Sequence, residues 1–254
     1  MPIEFLIFFT VFTPALVGGL NLIFNKNPNV RDTVTLLGAL ITFYFSANIF
    51  LGFDGQATQY KLATIMSGID ISFHIEPLGI VFSLLASGLW ILTHIYAIGY
   101  MRGAKEKNHS RFFFFFSVSI ASVMGISFSG NLFTLFLFYE ILTLITFPLV
   151  SHKGSNEALR GARVYLSILL GTSIGLQLLG IIWIYFSVGT LDFVKGGILN
   201  GSFGSLELTL LVALFAFGIG KAALFPFHRW LPAAMVAPTP VSALLHAVAV
   251  VKAG

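Results

Sequence analysis

Seven long apolar runs dominate this sequence and constrain its fold more than any other feature. Each has roughly the 20 residues that a helix needs to cross about 30 Å of hydrocarbon. The runs lie near 3–24, 33–52, 77–101, 112–130, 131–150, 163–188 and 206–225. They are too long and too aperiodic for the strands of a membrane barrel. We therefore predict an all-α polytopic membrane protein.

An eighth apolar run begins at Pro240 and is still apolar at Gly254. Its last 14 residues would rise only about 21 Å as a helix. We therefore expect about eight transmembrane helices, the last of them truncated, and we expect the sequence to be the N-terminal fragment of a longer protein.

The composition excludes several classes of protein. Apolar residues make up 57% of the chain and charged residues 9%, against roughly a quarter in an ordinary soluble domain. The chain contains no cysteine, which excludes disulfides, thiolate metal sites and cysteine nucleophiles. No phosphate loop, metal-ligand cluster, nucleophile elbow or dinucleotide fingerprint is present. We predict no catalytic site, no metal, no cofactor and no nucleic-acid partner for this chain.

Residues 57–76 differ from the apolar runs, because they are mixed in polarity and rich in β-branched residues around a Ser-Gly pair at 67–68. This pattern predicts a short β-hairpin outside the membrane. Loops that contain basic residues usually face the cytoplasm. Alternate loops contain ten of the basic residues, which are Lys26, Arg31, Arg102, Lys105, Lys107, Arg111, Lys153, Arg160, Arg163 and Arg229. The other loops contain only Lys61 and Lys195.

This distribution predicts an extracytoplasmic N-terminus. We expect the protein to lie in the cell membrane, the inner one where there are two, of a bacterium or archaeon. The run of phenylalanines at 112–116 is expected to face lipid.

Three charged residues lie inside apolar runs: Glu140, Lys221 and Lys252. A charge at the centre of a bilayer costs about 2.5–3.5 kcal/mol on insertion scales. A structural ion pair between Glu140 and Lys221 would neutralise two of them but would leave Lys252 unexplained. A proton path explains all three, because burial and a nearby carboxylate act on a lysine in opposite directions. We expect Glu140, Lys221 and Lys252 to take part in proton translocation.

Histidines near the lysines extend this hypothesis. His246 precedes Lys252 by less than two helical turns, so that one water could bridge them. Histidine titrates near neutral pH, which suits a proton relay. His246 is therefore the fourth candidate, whereas His94 and His228 are secondary ones. The alternative for His94 and His246 is simple packing with a satisfied hydrogen bond.

Pro226 follows Lys221 by five residues and is the strongest local signal. Proline removes a backbone donor and clashes with the preceding turn. A charge followed by a helix break is how transporters expose backbone to a water-filled site. We predict a seventh helix broken at Pro226, because the run 227–237 stays largely apolar.

These residues carry a resemblance to a known family. The pair Tyr139-Glu140, the segment from Lys221 to His246 (KAALFPFHRWLPAAMVAPTPVSALLH) and the stretch IYAIGYM at 95–101 resemble the antiporter-like subunits. Such subunits occur in respiratory NADH:quinone oxidoreductase (complex I), in Mrp-type sodium/proton antiporters and in membrane-bound hydrogenases. The sequence does not distinguish among these assemblies and does not show whether sodium is transported.

The resemblance implies a fold and roles for the candidates. Residues 1–111 would form helices one to three with the hairpin, and residues 112–254 would form the first five-helix repeat, its last helix incomplete. Glu140 would match the fifth-helix glutamate that modulates Lys221, His246 the eighth-helix histidine, and Lys252 a connecting lysine. Partners would be other membrane subunits, protons, optionally sodium, and the lipid bilayer. An oxidoreductase activity would belong to the whole complex, and an Mrp-like assembly would not be an enzyme.

Two other functions remain open at this stage. A stand-alone secondary transporter would need substrate-sized polar clusters at mid-membrane. A purely structural membrane subunit would use its ion pairs only to hold helices together.

Overall fold

The computed structural model describes residues 2–55, 58–199, 201 and 203–254. These described residues form helices, connecting loops and one two-stranded sheet. Its α-helices are α1 (Ile3–Ile23), α2 (Pro28–Gly52), α3 (Pro77–Gly103), α4 (His109–Ser127), α5 (Leu132–Val150), α6 (Asn156–Thr172), α7 (Leu178–Val188), α8 (Ser205–Gly218) and α9 (Trp230–Ala234). A π-helical turn, Ser173–Gln177, joins α6 to α7, and a π-helix covers Val241–Val250.

Six helices of the described residues are long and apolar enough to cross a membrane. They are α1 to α5 and the continuous α6–α7 helix, and they correspond to the first six apolar runs. The seventh and eighth runs form the shorter apolar helices Ser205–Gly218 and Val241–Val250. The all-α membrane architecture is confirmed, whereas the total of eight spanning helices stays a prediction.

The predicted hairpin is present as β1 (Thr58–Met66) and β2 (Ile69–Ile75), although position 57 lies outside the described residues. The strands are antiparallel, with Thr58 opposite Ile75 and Met66 opposite Ile69. Gly68 makes the turn with a φ of +76°, a conformation that costs glycine little. The other edge of β2 is bonded to the α4–α5 connection: the His74 N–H donates to the Phe128 carbonyl at 2.7 Å.

Helix α4 lies at the centre of the bundle and packs against α1, α3 and α5. The predicted lipid-facing position of the phenylalanine run is therefore wrong for three of its members. Phe112, Phe113 and Phe116 are at most 2% exposed. The hydrophobic effect does not distinguish a lipid tail from a neighbouring helix, so composition alone could not place them.

The seventh predicted helix breaks earlier than its proline. Helix α8 ends at Gly218, and Ile219 already has a non-helical ψ of 54°. The ring of Pro226 reaches only the carbonyl four residues before it, that of Ala222. The end at Gly218 instead follows from two glycines, Gly218 and Gly220, which have low helix propensity. The break therefore lies before Lys221 as well as after it.

Candidate functional site

Lys221 lies in the interruption that follows α8. A single 3₁₀ turn, Gly220–Ala222, carries it, and the next residue, Ala223, has a φ of +54°. A Cβ on Gly218 would lie 2.5 Å from the Gln177 backbone nitrogen, and one on Gly220 would lie 2.1 Å from Thr172 Oγ1. The two glycines therefore let this segment approach α6 and its π-helical turn more closely than other residues could.

The side chain of Lys221 is fully buried and points at α5. Its ammonium donates to the Tyr139 carbonyl at 2.8 Å and to Thr143 Oγ1 at 2.6 Å. The same Nζ lies 3.0 Å from the centre of the Tyr139 ring, a cation–π contact. The Lys221 backbone N–H donates to the Tyr139 hydroxyl at 3.2 Å. Tyr139 thus contacts both the backbone N–H and the ammonium of Lys221.

Glu140 is the neighbour of Tyr139 on α5 and is close enough for its charge to act on Lys221. Both of its carboxylate oxygens are buried, and the Ser173 side chain of the π-helical turn lies close to the carboxylate. The Lys221 ammonium is hydrogen-bonded to Tyr139 and Thr143. The structure therefore brings the two predicted charges into one buried site without a direct Glu140–Lys221 ion pair.

His246 lies in a buried aromatic cluster. Its ring centre is 6.2 Å from that of Trp230 and 6.3 Å from that of Tyr165. Both imidazole nitrogens are buried and have no partner among the described residues. The Trp230 indole donates to the Gly220 carbonyl at 2.8 Å, which ties the cluster to the interrupted segment.

Lys252 lies in a different environment from His246. Its side chain is exposed, and it borders a cavity of about 600 Å³ together with His74 and Glu76. The proposed water bridge between Lys252 and His246 stays a prediction.

Pro226 and His228 are both exposed. His228 stacks on Phe225 at 5.8 Å between ring centres. A cavity of about 530 Å³ beside Pro226 is bordered mainly by apolar side chains, including Trp183, Phe217 and Phe227.

A second buried charge cluster was missed from the sequence. Asp32 accepts from the Arg31 guanidinium at 2.7 and 2.9 Å and from Arg102 at 2.5 Å. His94 Nε2 lies 3.0 Å from the Asp32 carbonyl, so this secondary candidate belongs here and not beside Lys221. The sequence predicts Arg31 and Arg102 in loops, but they lie in α2 and α3. An acidic residue directly after Arg31, where an apolar run begins, was the available signal.

The fold and this site define a class: a polytopic helical membrane protein with a buried lysine at a helix interruption. Residues 129–254 match the family model described as NADH:quinone oxidoreductase/Mrp antiporter, TM. Residues 64–113 match the model for the N-terminus of chain 5 of NADH-ubiquinone oxidoreductase (complex I). Together the matches cover more than two thirds of the chain. The chain belongs to this family of membrane subunits, as the motifs at 139–140 and 221–246 predicted.

Individual relatives agree with this assignment. The chain is 32% identical to the chloroplast NAD(P)H-quinone oxidoreductase subunit 5 of Ipomoea purpurea, over 97% of this chain and 37% of the relative. It is 34% identical to an antiporter subunit of Staphylococcus haemolyticus, over 85% of this chain and 27% of the relative. The chain thus spans well under half the length of these relatives.

A solved structure has the same fold. The Mrp complex from Dietzia sp. DQ12-45-1b superposes with a TM-score of 0.82 at 23% identity, over 97% of this chain and 27% of that chain.

Proposed function

We propose that this chain is the N-terminal part of a proton-translocating, antiporter-like subunit in which Lys221 carries the proton. One observation supports this most directly: Lys221 is fully buried at a helix interruption, with its ammonium directed at the helix that bears Glu140. An ionisable residue at membrane depth is expensive and usually serves a function. The interruption gives the lysine freedom that a continuous helix would not.

Glu140 acts on Lys221 through its charge. A carboxylate near an ammonium favours the protonated lysine, and its effect falls with distance. Because the carboxylate makes no hydrogen bond to Lys221 in this structure, small movements of α5 or of the Lys221 turn change the distance between the charges. Such movements couple proton uptake and release to conformation.

In this proposal His246 and Lys252 pass charge laterally, away from Lys221. Energy comes from redox partners in a complex I-like assembly or from exchange with sodium in an Mrp-like one. The partners are other membrane subunits. These roles rest on the family and on the burial of His246.

The same proposal includes topology. The distribution of Lys and Arg among the loops supports an extracytoplasmic N-terminus in a bacterial or archaeal cell membrane. Residues 1–111 form the N-terminal unit with the hairpin, and residues 112–254 belong to the first five-helix repeat.

Removing either charge from the buried site tests the function. In the intact subunit within native membrane vesicles, Glu140→Gln and Lys221→Met should each lower proton pumping or antiport at least about tenfold, which corresponds to about 1.4 kcal/mol. Each variant needs a control that removes the same charge elsewhere, Glu157→Gln in the exposed first turn of α6 and Lys195→Met in an exposed loop.

Native electrophoresis must show that the complexes assemble in normal amounts. Normal transport by correctly assembled Glu140→Gln and Lys221→Met complexes would contradict the proposal and favour a structural role for the pair.

A further inference from the structure

We propose that Thr143 is a positioning residue for the Lys221 ammonium, holding it on a neutral acceptor that competes with Glu140. This inference rests on the proposed proton-carrying role of Lys221. Its basis is a site built from neutral oxygens: Thr143 Oγ1 at 2.6 Å and the Tyr139 carbonyl at 2.8 Å accept from Nζ. Thr143 and Lys221 are both fully buried, so water does not compete for these bonds.

The hydroxyl of Thr143 is oriented by its own helix. Thr143 Oγ1 donates its hydrogen to the Tyr139 carbonyl at 3.1 Å. A hydroxyl has one hydrogen and two acceptor lone pairs, so with the hydrogen on the helix a lone pair is free for the ammonium. The same carbonyl accepts from both groups, which makes a closed set of three bonds among Tyr139, Thr143 and Lys221.

Two acceptors on α5 are therefore available to one ammonium. Glu140 and Thr143 are three residues apart, and residues at that spacing are neighbours on a helix surface. The Lys221 ammonium donates to the Thr143 hydroxyl and not to the buried Glu140 carboxylate, which lies near the Ser173 side chain. The structure thus holds Lys221 on the neutral acceptor. Movement of the ammonium from Thr143 to Glu140 would change its electrostatic environment.

Loss of the Thr143 hydroxyl would change the hydrogen bonding of the Lys221 ammonium. A lysine ammonium has three donors, and the described contacts use two of them. Without Thr143 Oγ1, a buried donor would lose its partner, and the carboxylate would become the stronger remaining acceptor. Lys221 would then settle on Glu140 as a tight ion pair, and proton release would slow.

Replacement of Thr143 by valine removes the hydroxyl and keeps a side chain of similar shape, so it tests the hydrogen bond apart from the packing. In the intact complex in native vesicles, Thr143→Val should lower transport at least about tenfold, because the hydrogen bond that it removes is made to a charged group. Thr143→Ser keeps the hydroxyl and should stay within about threefold of the unmodified protein.

Thr42→Val is the matched control, because Thr42 is also fully buried and also donates to a carbonyl of its own helix, at 2.8 Å, but it does not contact a lysine. It should transport normally.

The pH dependence of transport gives a second readout, which a purely structural role would not move. The pH profile of transport should shift by about half a pH unit or more in Thr143→Val, because the Thr143 hydroxyl accepts a hydrogen bond from the protonated form of Lys221. The profile should return to normal in Thr143→Ser. If Thr143→Val does not assemble, Thr143→Ala and Thr143→Ser form the comparison.

The outcomes distinguish this inference from the proposed function. Inactive Lys221→Met with fully active Thr143→Val would overturn the role of Thr143 and leave the function intact. Equal loss in Thr143→Ser and Thr143→Val would also overturn it. Fully active Lys221→Met would overturn the proposed function first.

Discussion

The Asp32 side chain joins two of the N-terminal helices through hydrogen bonds to two arginines. Its carboxylate accepts from Arg31 on one oxygen and from Arg102 on the other, and so links α2 to α3. Arg31 continues the network to Ser110 on α4 at 3.2 Å and lies 5.1 Å from the centre of the Phe113 ring. One carboxylate therefore compensates two guanidinium groups, one of them buried.

Removing this carboxylate should destabilise the protein strongly. Breaking a buried pair leaves an uncompensated charge and costs about 3–5 kcal/mol. Asp32→Asn should therefore lower the midpoint of thermal unfolding in detergent by roughly 10 °C. Glu157→Gln, an exposed acid in the first turn of α6, should change it little. Equal midpoints for the two variants would show that Asp32 does not hold the arginines together.

Single residues of the site were predictable only where they broke a pattern. Glu140 and Lys221 were found because charges are rare inside apolar runs. Thr143 was missed, and Tyr139 was singled out only as part of the Tyr139-Glu140 motif. Neither a tyrosine nor a threonine is unusual in a membrane helix, and a carbonyl acceptor leaves no trace in the sequence. Arg31 was missed because α2 begins at Pro28, earlier than its apolar run.

The interruption after α8 is the element on which the site depends. Two glycines, Gly218 and Gly220, end the helix, and the Trp230 indole satisfies the carbonyl of Gly220. Carbonyls released from a helix need such partners inside a membrane. The interruption therefore lies close to the π-helical turn, and the hydrogen bond from Trp230 replaces a helical hydrogen bond that the Gly220 carbonyl has lost.

Filling the space at Gly218 should disturb this element. A Cβ there would lie 2.5 Å from the backbone nitrogen of Gln177, so that the backbone must shift. Gly218→Ala should lower both transport and the yield of folded protein. Gly171→Ala is the matched control, since a Cβ at Gly171 in α6 meets nothing within 4 Å. Normal transport by Gly218→Ala would mean that the Lys221 turn tolerates displacement.

The elements themselves were largely predictable. Length and apolarity located the first six membrane helices, and mixed polarity with β-branched residues around a Ser-Gly pair located the hairpin. The exact end of α8 was not predictable, because proline is a strong local signal while the glycines act through contacts with a distant segment. The π-helical turn at Ser173–Gln177 likewise has no pattern of its own in the sequence.

At the scale of the whole molecule, the hairpin and the membrane helices are joined by specific bonds. Asn131 caps α5 by accepting from the Thr134 N–H at 2.7 Å, and its amide donates to the Asp70 carbonyl at 2.8 Å. The Ser72 N–H donates to Thr134 Oγ1 at 3.0 Å. Sequence reasoning predicted the hairpin and α5 separately but not this contact, because residues some 60 positions apart meet only in the folded chain.

The pairing within the hairpin should depend on pH. The hydrogen bond from Lys61 lowers the pKa of the Asp70 carboxyl below its ordinary value of 3.8, with a smaller contribution from Thr64. A lowered pKa in the folded state gives stability that is complete above the ordinary value and is lost as the pH falls through the lowered one.

Hydrogen exchange of residues 58–75, corrected for intrinsic rates, should show weaker protection as the pH falls below about 3.8. In Asp70→Asn this dependence should be much reduced. An unchanged pH dependence in Asp70→Asn would mean that another group is responsible.

The attachment of the hairpin to α5 has a mechanical consequence. The Asp70 backbone is bonded to Asn131, which caps α5, and the Ser72 backbone is bonded to Thr134 in the first turn of α5. Glu140 follows on the same helix. A helix transmits displacement along its axis with little compression. A force on the hairpin is therefore transmitted to the buried carboxylate as a displacement of the whole helix.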